Sequence, residues 1–386
     1  MPENCCLHPS SATLAPAILA SPVPASMTTD LPVPISVGPE STIQASAVLV
    51  PAVPLPELTC LCAYAPARQH KPQLASTRVG ELATRAAILE AAAGPKPGLV
   101  CRNSQGSHND MDYSTFVRSA LALQGYFTQA HALGTATTAL EPPAVFPRLR
   151  ALGLKAEQDM FAATNGVNTH KGLIFSLGLF CAALGRLGSA ANIQRLCRTA
   201  ASFVQGITGT DMAALPCGPL AAKQAIPGFC PEKTRHARPK GMRPLLEKGL
   251  QRSLTPGEVI YIMYGMHGVR GEAEQGFPGV ALACENLGRH GADVNMNKAT
   301  VHTLLELLAH VEDSSLLWRG GGRGFALARA YAAATLAAGG QNTVDGRRML
   351  NRMSAAFVRR KLSPGGCADM LATGIFLHLL RRHGDC

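Results

Sequence analysis

Aromatic residues are scarce in this chain of 386 residues: Phe, Tyr and Trp together make 5%, with a single Trp. Ala and Leu are abundant, and β-branched runs are few beyond the first seventy residues, so the composition favours helix over sheet and predicts an all-α protein. Zinc chemistry is also missing its signature. No C-x-x-C occurs, and Cys5-Cys6 and Cys60-x-Cys62 have no second pair at metal spacing. Other cysteines, such as Cys181, Cys197 and Cys284, stand in apolar helical contexts and read as buried free thiols, which points to the reducing cytoplasm. The most apolar run, 172–187, falls short of the ~20 residues that span a bilayer and is expected to be a core helix instead. Walker A, G-x-G-x-x-G after a strand, H-E-x-x-H and G-x-S-x-G are all absent, so the common nucleotide and hydrolase signatures do not apply.

Residues 1–67 lack Lys and Arg altogether, while they hold four acids and 12 of the 27 prolines. Repeated Pro among Ala, Ser and Val forbids helix and interrupts sheet, so 1–72 is expected to be a disordered extension, without the basic and apolar regions of a secretory signal. The rest carries 36 bases against 21 acids, a net +15. A field of that sign suits nucleic acid, acidic lipid or small polyanions such as nucleotides and coenzyme A. No basic helix interleaved with aromatics and no helix-turn-helix pattern supports nucleic acid.

From Thr77 onward apolar residues recur at three-to-four spacing, in "TRVGELATRAAILEAAA", "YSTFVRSALALQGYF" and "RALGLKAEQDMFAAT", and again over 257–289, 298–313, 322–338, 344–360 and 366–382. One large helical domain over 73–386 is the expected architecture. A Pro/Gly-interrupted insertion near 207–256 carries Lys223, Lys233, Arg235, Arg238, Lys240, Arg243, Lys248 and Arg252. It reads as a solvated surface or as a funnel for a polyanion.

Five polar stretches interrupt the helices. "NGVNTHKG" places Asn168 or Thr169 as N-cap of the core helix and Lys171 in its first turn. Free N–H groups, the positive end of the helix dipole and a Lys make a phosphate site, whereas capping alone asks for neither His170 nor Lys171. "PKPGLVCRNSQGSHNDMDY" holds Lys96, His108, Asp110 and Asp112, the last placed to cap a helix from Tyr113. "GVRGEAEQG" sets Arg270 beside Glu272 and Glu274, residue types that hold phosphate and a hard cation, or that form a surface salt bridge. "EDSSLLWRGGGRG" contains Asp313 and Arg319, and "LSPGGCADML" contains Ser363, Gly365, Gly366 and Asp369.

In this order, the five stretches resemble the triphosphoribosyl-dephospho-coenzyme A synthase family, over about 77–382. Lys171 and the following "IFSLGL" look like the citrate lyase branch rather than the malonate decarboxylase branch. The resemblance implies that the 2′-hydroxyl of 3′-dephospho-CoA attacks C1″ of the ATP ribose, adenine leaves, and the product passes to a separate carrier-protein transferase. Membrane and nucleic acid have no part in it. Such a glycosyl transfer needs a base, a hydrogen bond or proton for adenine, and cations on the triphosphate.

Among the positions that match the family pattern, the residue types suggest a division of roles in which Lys171, Arg270 and Arg319 take phosphates. Asp110, Glu272, Glu274 and Asp313 hold Mg²⁺ brought with ATP, and Glu157 or Asp369 is the base with His170 as a further catalytic group. Lys96, His108, Asn168, Thr169, Ser363, Gly365 and Gly366 bind substrate. Cys101 and Ser314-Ser315 depart from the family pattern, which carries Asp at the first position and Thr-Asn at the second. Cys is no hard-metal ligand, so a catalytically impaired nucleotide- or CoA-binding homologue is the alternative reading.

Overall fold

A computed structural model of the chain describes residues 74–188, 191–225 and 253–382. The proline-rich extension and most of the basic insertion lie outside them; of the eight insertion cations only Lys223 is described, exposed on a short helix. The described residues are helical and contain no strand, as the composition predicts. No helix among them is long and apolar enough to cross a membrane.

The helices are α1 (Ser76–Ala92), α2 (Tyr113–Ala122), α3 (Gln124–Ala136), α4 (Pro142–Ala163), α5 (Lys171–Leu187), α6 (Ile193–Phe203), α7 (Ile207–Met212) and α8 (Gly218–Ala225), then α9 (Pro256–Tyr264), α10 (Gly268–Glu274), α11 (Pro278–Arg289), α12 (Met296–His310), α13 (Ser314–Ala337), α14 (Val344–Arg360) and α15 (Gly365–Arg382).

The core is built on two helices that are apolar nearly all round. Helix α5 buries Leu173, Ile174, Leu177, Phe180 and Leu184, and α15 buries Met370, Leu371, Ile375, Phe376 and Leu379. Such helices have no face for solvent and must be surrounded. Helix α5 packs on α3, α4, α6 and α15, while α15 also packs on α1, α11 and α12. A smaller cluster of Met212, Leu215, Ala222, Leu254, Val259, Ile262 and Met263 joins α7 to α9, with Trp318 against it. Part of the expected insertion is therefore packed structure rather than solvated surface.

Periodicity over 257–289 reads as one helix, but the chain forms three. Gly265 and Gly276 take positive φ of 71° and 85° and end α9 and α10, a conformation open to glycine at no steric cost. The 322–338 segment is longer than its periodicity shows: α13 begins at Ser314 and bends at Gly321, where φ 63° and ψ −171° leave the helical region.

Candidate active site

Between the starts of α5, α13 and α15 lies a cleft of about 310 Å³. Of the residues expected in the site it is lined by His108, Asn168, Thr169, His170, Lys171, Arg319, Ser363, Gly365 and Asp369. Four of the five motif stretches thus meet although up to 261 positions separate their residues in sequence. Glu90, Phe116, Ser314, Ser315 and Trp318 line it as well. Trp318 lies within the fourth stretch without having been singled out, and Glu90 carries no motif; the signal for Glu90 was a carboxylate in the apolar α1 with Lys96 six positions on.

Asp369, with Glu90, is one of two carboxyls that line the cleft. It rises from the first turn of α15 against the first turn of α5, so closely that a Cβ on Gly172 would fall 2.0 Å from its Oδ2. Desolvation, then the nearby charges of Glu90 and Asp313, lift its pKa well above the usual carboxylate range, and the Leu173 N–H opposes them. The start of α5 is therefore closed by a carboxyl instead of standing open for phosphate. His170, not Asn168 or Thr169, occupies the N-cap position and makes no capping bond itself. Asn168 Oδ1 accepts the Lys171 N–H at 3.3 Å, and the Thr169 hydroxyl turns inward to donate to Ser119.

Two imidazoles line the same cleft and both are held neutral. His170 is buried, its pKa pushed down to about 3 by desolvation and then by the charge of Lys96. Its ring meets Phe116 edge-on at 5.0 Å. His108 lies at about 4, lowered by desolvation and then by Arg319, with Asp110 opposing. Arg319 donates to His108 Nδ1 at 3.2 Å and to the Lys361 carbonyl at 3.4 Å, and His108 Nε2 meets the Ser363 hydroxyl at 2.9 Å. With Nδ1 accepting from the guanidinium, the His108 proton is on Nε2.

Several expected residues stand outside the cleft. Lys96 is buried and gives its ammonium to the Glu90 carboxylate and, at 2.5 Å, to the Glu90 carbonyl. Glu157 is not among the residues lining the cleft; its Oε2 accepts from Lys171 Nζ at 2.7 Å. Arg270 joins α10 to α7 through Asp211 at 2.8 Å. Gly366 admits Asp313, with a Cβ there 3.2 Å from its carboxyl.

The acids expected around Mg²⁺ do not converge on one ion. Asp313 is fully buried and serves two helix starts, accepting from Leu316 N at 3.0 Å on α13 and Cys367 N at 2.8 Å on α15. Glu272 accepts from Gly279 N at 2.6 Å at the start of α11. Glu274 accepts from Thr208 N at 3.1 Å and from the Thr208 hydroxyl at the start of α7. Asp110 is exposed beside His108. A helix leaves unpaired N–H groups and a positive dipole end at its start, so a carboxylate serves there as well as on a cation. Among the described residues no three metal-ligating side chains gather where an ion would sit. The same logic holds for Asp112, which caps α2 as expected, reciprocated by Thr115.

Cys101 also lies away from the cleft. It is buried, pairs with Ser104 through backbone hydrogen bonds of 2.8 and 3.2 Å, and lines a separate cavity with Arg102 and Asn297. Ser314 and Ser315 do line the cleft.

A carboxyl of raised pKa and an imidazole kept neutral, lining one cleft, give it both a proton acceptor and a hydrogen-bond donor. Such groups suit the proton movements of a group-transfer enzyme, and it is comparison with known proteins that defines the class. Residues 76–386 match the family CitG, ATP:dephospho-CoA triphosphoribosyl transferase, and the chain belongs to it. It is 36% identical over 303 residues to the 2-(5''-triphosphoribosyl)-3'-dephosphocoenzyme-A synthase of Haemophilus ducreyi, covering 78% of this chain and 88% of that protein. Protein CitXG of Leuconostoc mesenteroides subsp. cremoris is 33% identical over 314 residues, 79% of this chain, which spans 60% of that longer protein. A crystal structure from Archaeoglobus fulgidus, provisionally described as a triphosphoribosyl-dephospho-coA synthase, covers 65% of this chain and 97% of its own at 17% identity. Its TM-score of 0.37 is too loose to carry weight.

Proposed function

We propose that this cleft transfers the triphosphoribosyl group of ATP to the 2′-hydroxyl of 3′-dephospho-CoA with release of adenine. The observation that carries the reading is a cleft lined by four motif stretches that brings together Asp369, a carboxyl of raised proton affinity, two neutral imidazoles and two cations. Raised proton affinity suits Asp369 to take the hydroxyl proton as the C1″–O2′ bond forms. The C1″–N9 bond breaks with its electron pair going to adenine, and the proton removed from the hydroxyl ends on adenine. His170 presents a hydrogen bond to the departing base, while Lys171 and Arg319 face the triphosphate.

Mg²⁺ belongs to this account as the companion of ATP. The buried, unpaired thiols among the described residues fit a reducing cytoplasm. A separate carrier-protein transferase would consume the product, which is the precursor of the citrate lyase prosthetic group; the malonate decarboxylase counterpart performs the same chemistry. Since Cys101 does not line the cleft, the departure there removes no group from it.

The test is mass spectrometry of dephospho-CoA incubated with the protein, ATP and Mg²⁺. A product heavier by one triphosphoribosyl unit is expected. Tight ATP binding with dephospho-CoA left unmodified would make the protein a binding homologue.

A further inference from the structure

Ser119 lies on α2, outside every motif, fully buried beneath His170. Among the described residues its hydroxyl has two partners: Thr169 Oγ1, which donates to it at 2.7 Å, and His170 Nδ1, also at 2.7 Å. A hydroxyl that accepts from Thr169 still has its own hydrogen to place, and a buried donor left unpaired is costly. Nδ1 is the acceptor in reach. The hydrogen therefore points at Nδ1, and a neutral imidazole that accepts at Nδ1 carries its proton on Nε2. Phe116, edge-on to the ring, and the Met160 sulfur, which accepts the His170 N–H at 3.3 Å, hold the residue in that orientation. Nε2 has no protein partner among the described residues, and His170 lines the cleft.

We infer that Ser119 is a positioning residue: with Thr169 it locks His170 as the Nε2–H tautomer, a permanent neutral hydrogen-bond donor aimed at a ring nitrogen of the departing purine. The purine as recipient rests on the proposed transfer reaction, whereas the tautomer does not. Burial of the ring and the nearby Lys96 ammonium keep it neutral across the physiological range. A neutral donor of this kind holds developing negative charge on a leaving base without giving up its proton, so no charge has to be regenerated between turnovers.

The experiment is nitrogen NMR of protein labelled at the histidine ring nitrogens, read between pH 6 and 8, with His170 identified by its loss in His170→Gln. An acceptor-type Nδ1 and a protonated Nε2 are expected in the wild-type protein without substrate. A proton on Nδ1 would overturn the inference whatever the activity. In Ser119→Ala the Nε2–H preference should weaken, and kcat should fall roughly 10- to 100-fold, as for loss of a group that orients a functional side chain, with KM for ATP little changed. Restored kcat in Ser119→Cys, which keeps a donor, supports the relay. An unaltered tautomer or a wild-type kcat in Ser119→Ala refutes it. Should dephospho-CoA prove not to be the acceptor, the tautomer measurement still stands or falls by itself.

Discussion

Asp369 and Gly172 lie in van der Waals contact across the meeting of α15 and α5, with no room for a Cβ at position 172. That contact fixes where the carboxyl stands in the cleft lining. Gly172→Ala places a methyl 2.0 Å from Oδ2, so the carboxyl must move. A shift of an ångström in a reacting group costs on the order of 100-fold in rate, and overpacking here costs about 1–3 kcal/mol in stability. Steady-state kinetics and thermal melting of Gly172→Ala measure both losses.

Asp369→Asn separates catalysis from stability. Removing the base should lower kcat roughly 10²- to 10⁴-fold. The folded-state pKa of Asp369 is raised, so the protonated carboxyl favours the fold below the ordinary carboxylate range, and that contribution is lost as pH rises through the raised value. Asparagine carries no such penalty. The variant should melt above the wild type at pH 8, with the gap closing toward pH 4. In the wild type kcat/KM should climb with pH through a pKa above the ordinary carboxylate range; an activity flat across it would remove Asp369 as base.

Arg319 tests the phosphate side. Its guanidinium spreads donors to His108 Nδ1 and to the Lys361 carbonyl, a fork that an ammonium cannot reproduce. Arg319→Lys should raise KM for ATP roughly 10- to 100-fold, the scale of one charge-assisted hydrogen bond. Calorimetric titration with ATP reads the same loss directly.

Lys171 pairs with Glu157 near the surface, and an ion pair of that exposure contributes no more than about 1 kcal/mol. Lys171→Ala should melt close to the wild type yet show a higher KM for ATP or no turnover. Near-normal kinetics would take Lys171 out of the site.

Much of this arrangement is legible in the sequence. Apolar residues on every face of 172–187 require a buried helix, and the chain makes α5 there. The gathering of four motif stretches follows from the resemblance, but the duties of their acids do not. A carboxylate that caps a helix and one that binds a cation share the same chemistry, and the deciding N–H is often remote in sequence: Cys367 for Asp313, Thr208 for Glu274. The same holds for Ser119, an unremarked helix residue until α5 brings His170 over it. Nor does the sequence show that Glu157, the other base expected, accepts from Lys171.

The most direct test of the central claim is release of free adenine, followed by chromatography, from ATP and Mg²⁺ with and without dephospho-CoA, in the wild type and in Asp369→Asn. Adenine should appear only with dephospho-CoA, in equal amount to the acceptor consumed, and should nearly vanish in the variant. Adenine release that ignores dephospho-CoA, or that survives the loss of Asp369 undiminished, would contradict the assignment of this cleft to triphosphoribosyl transfer.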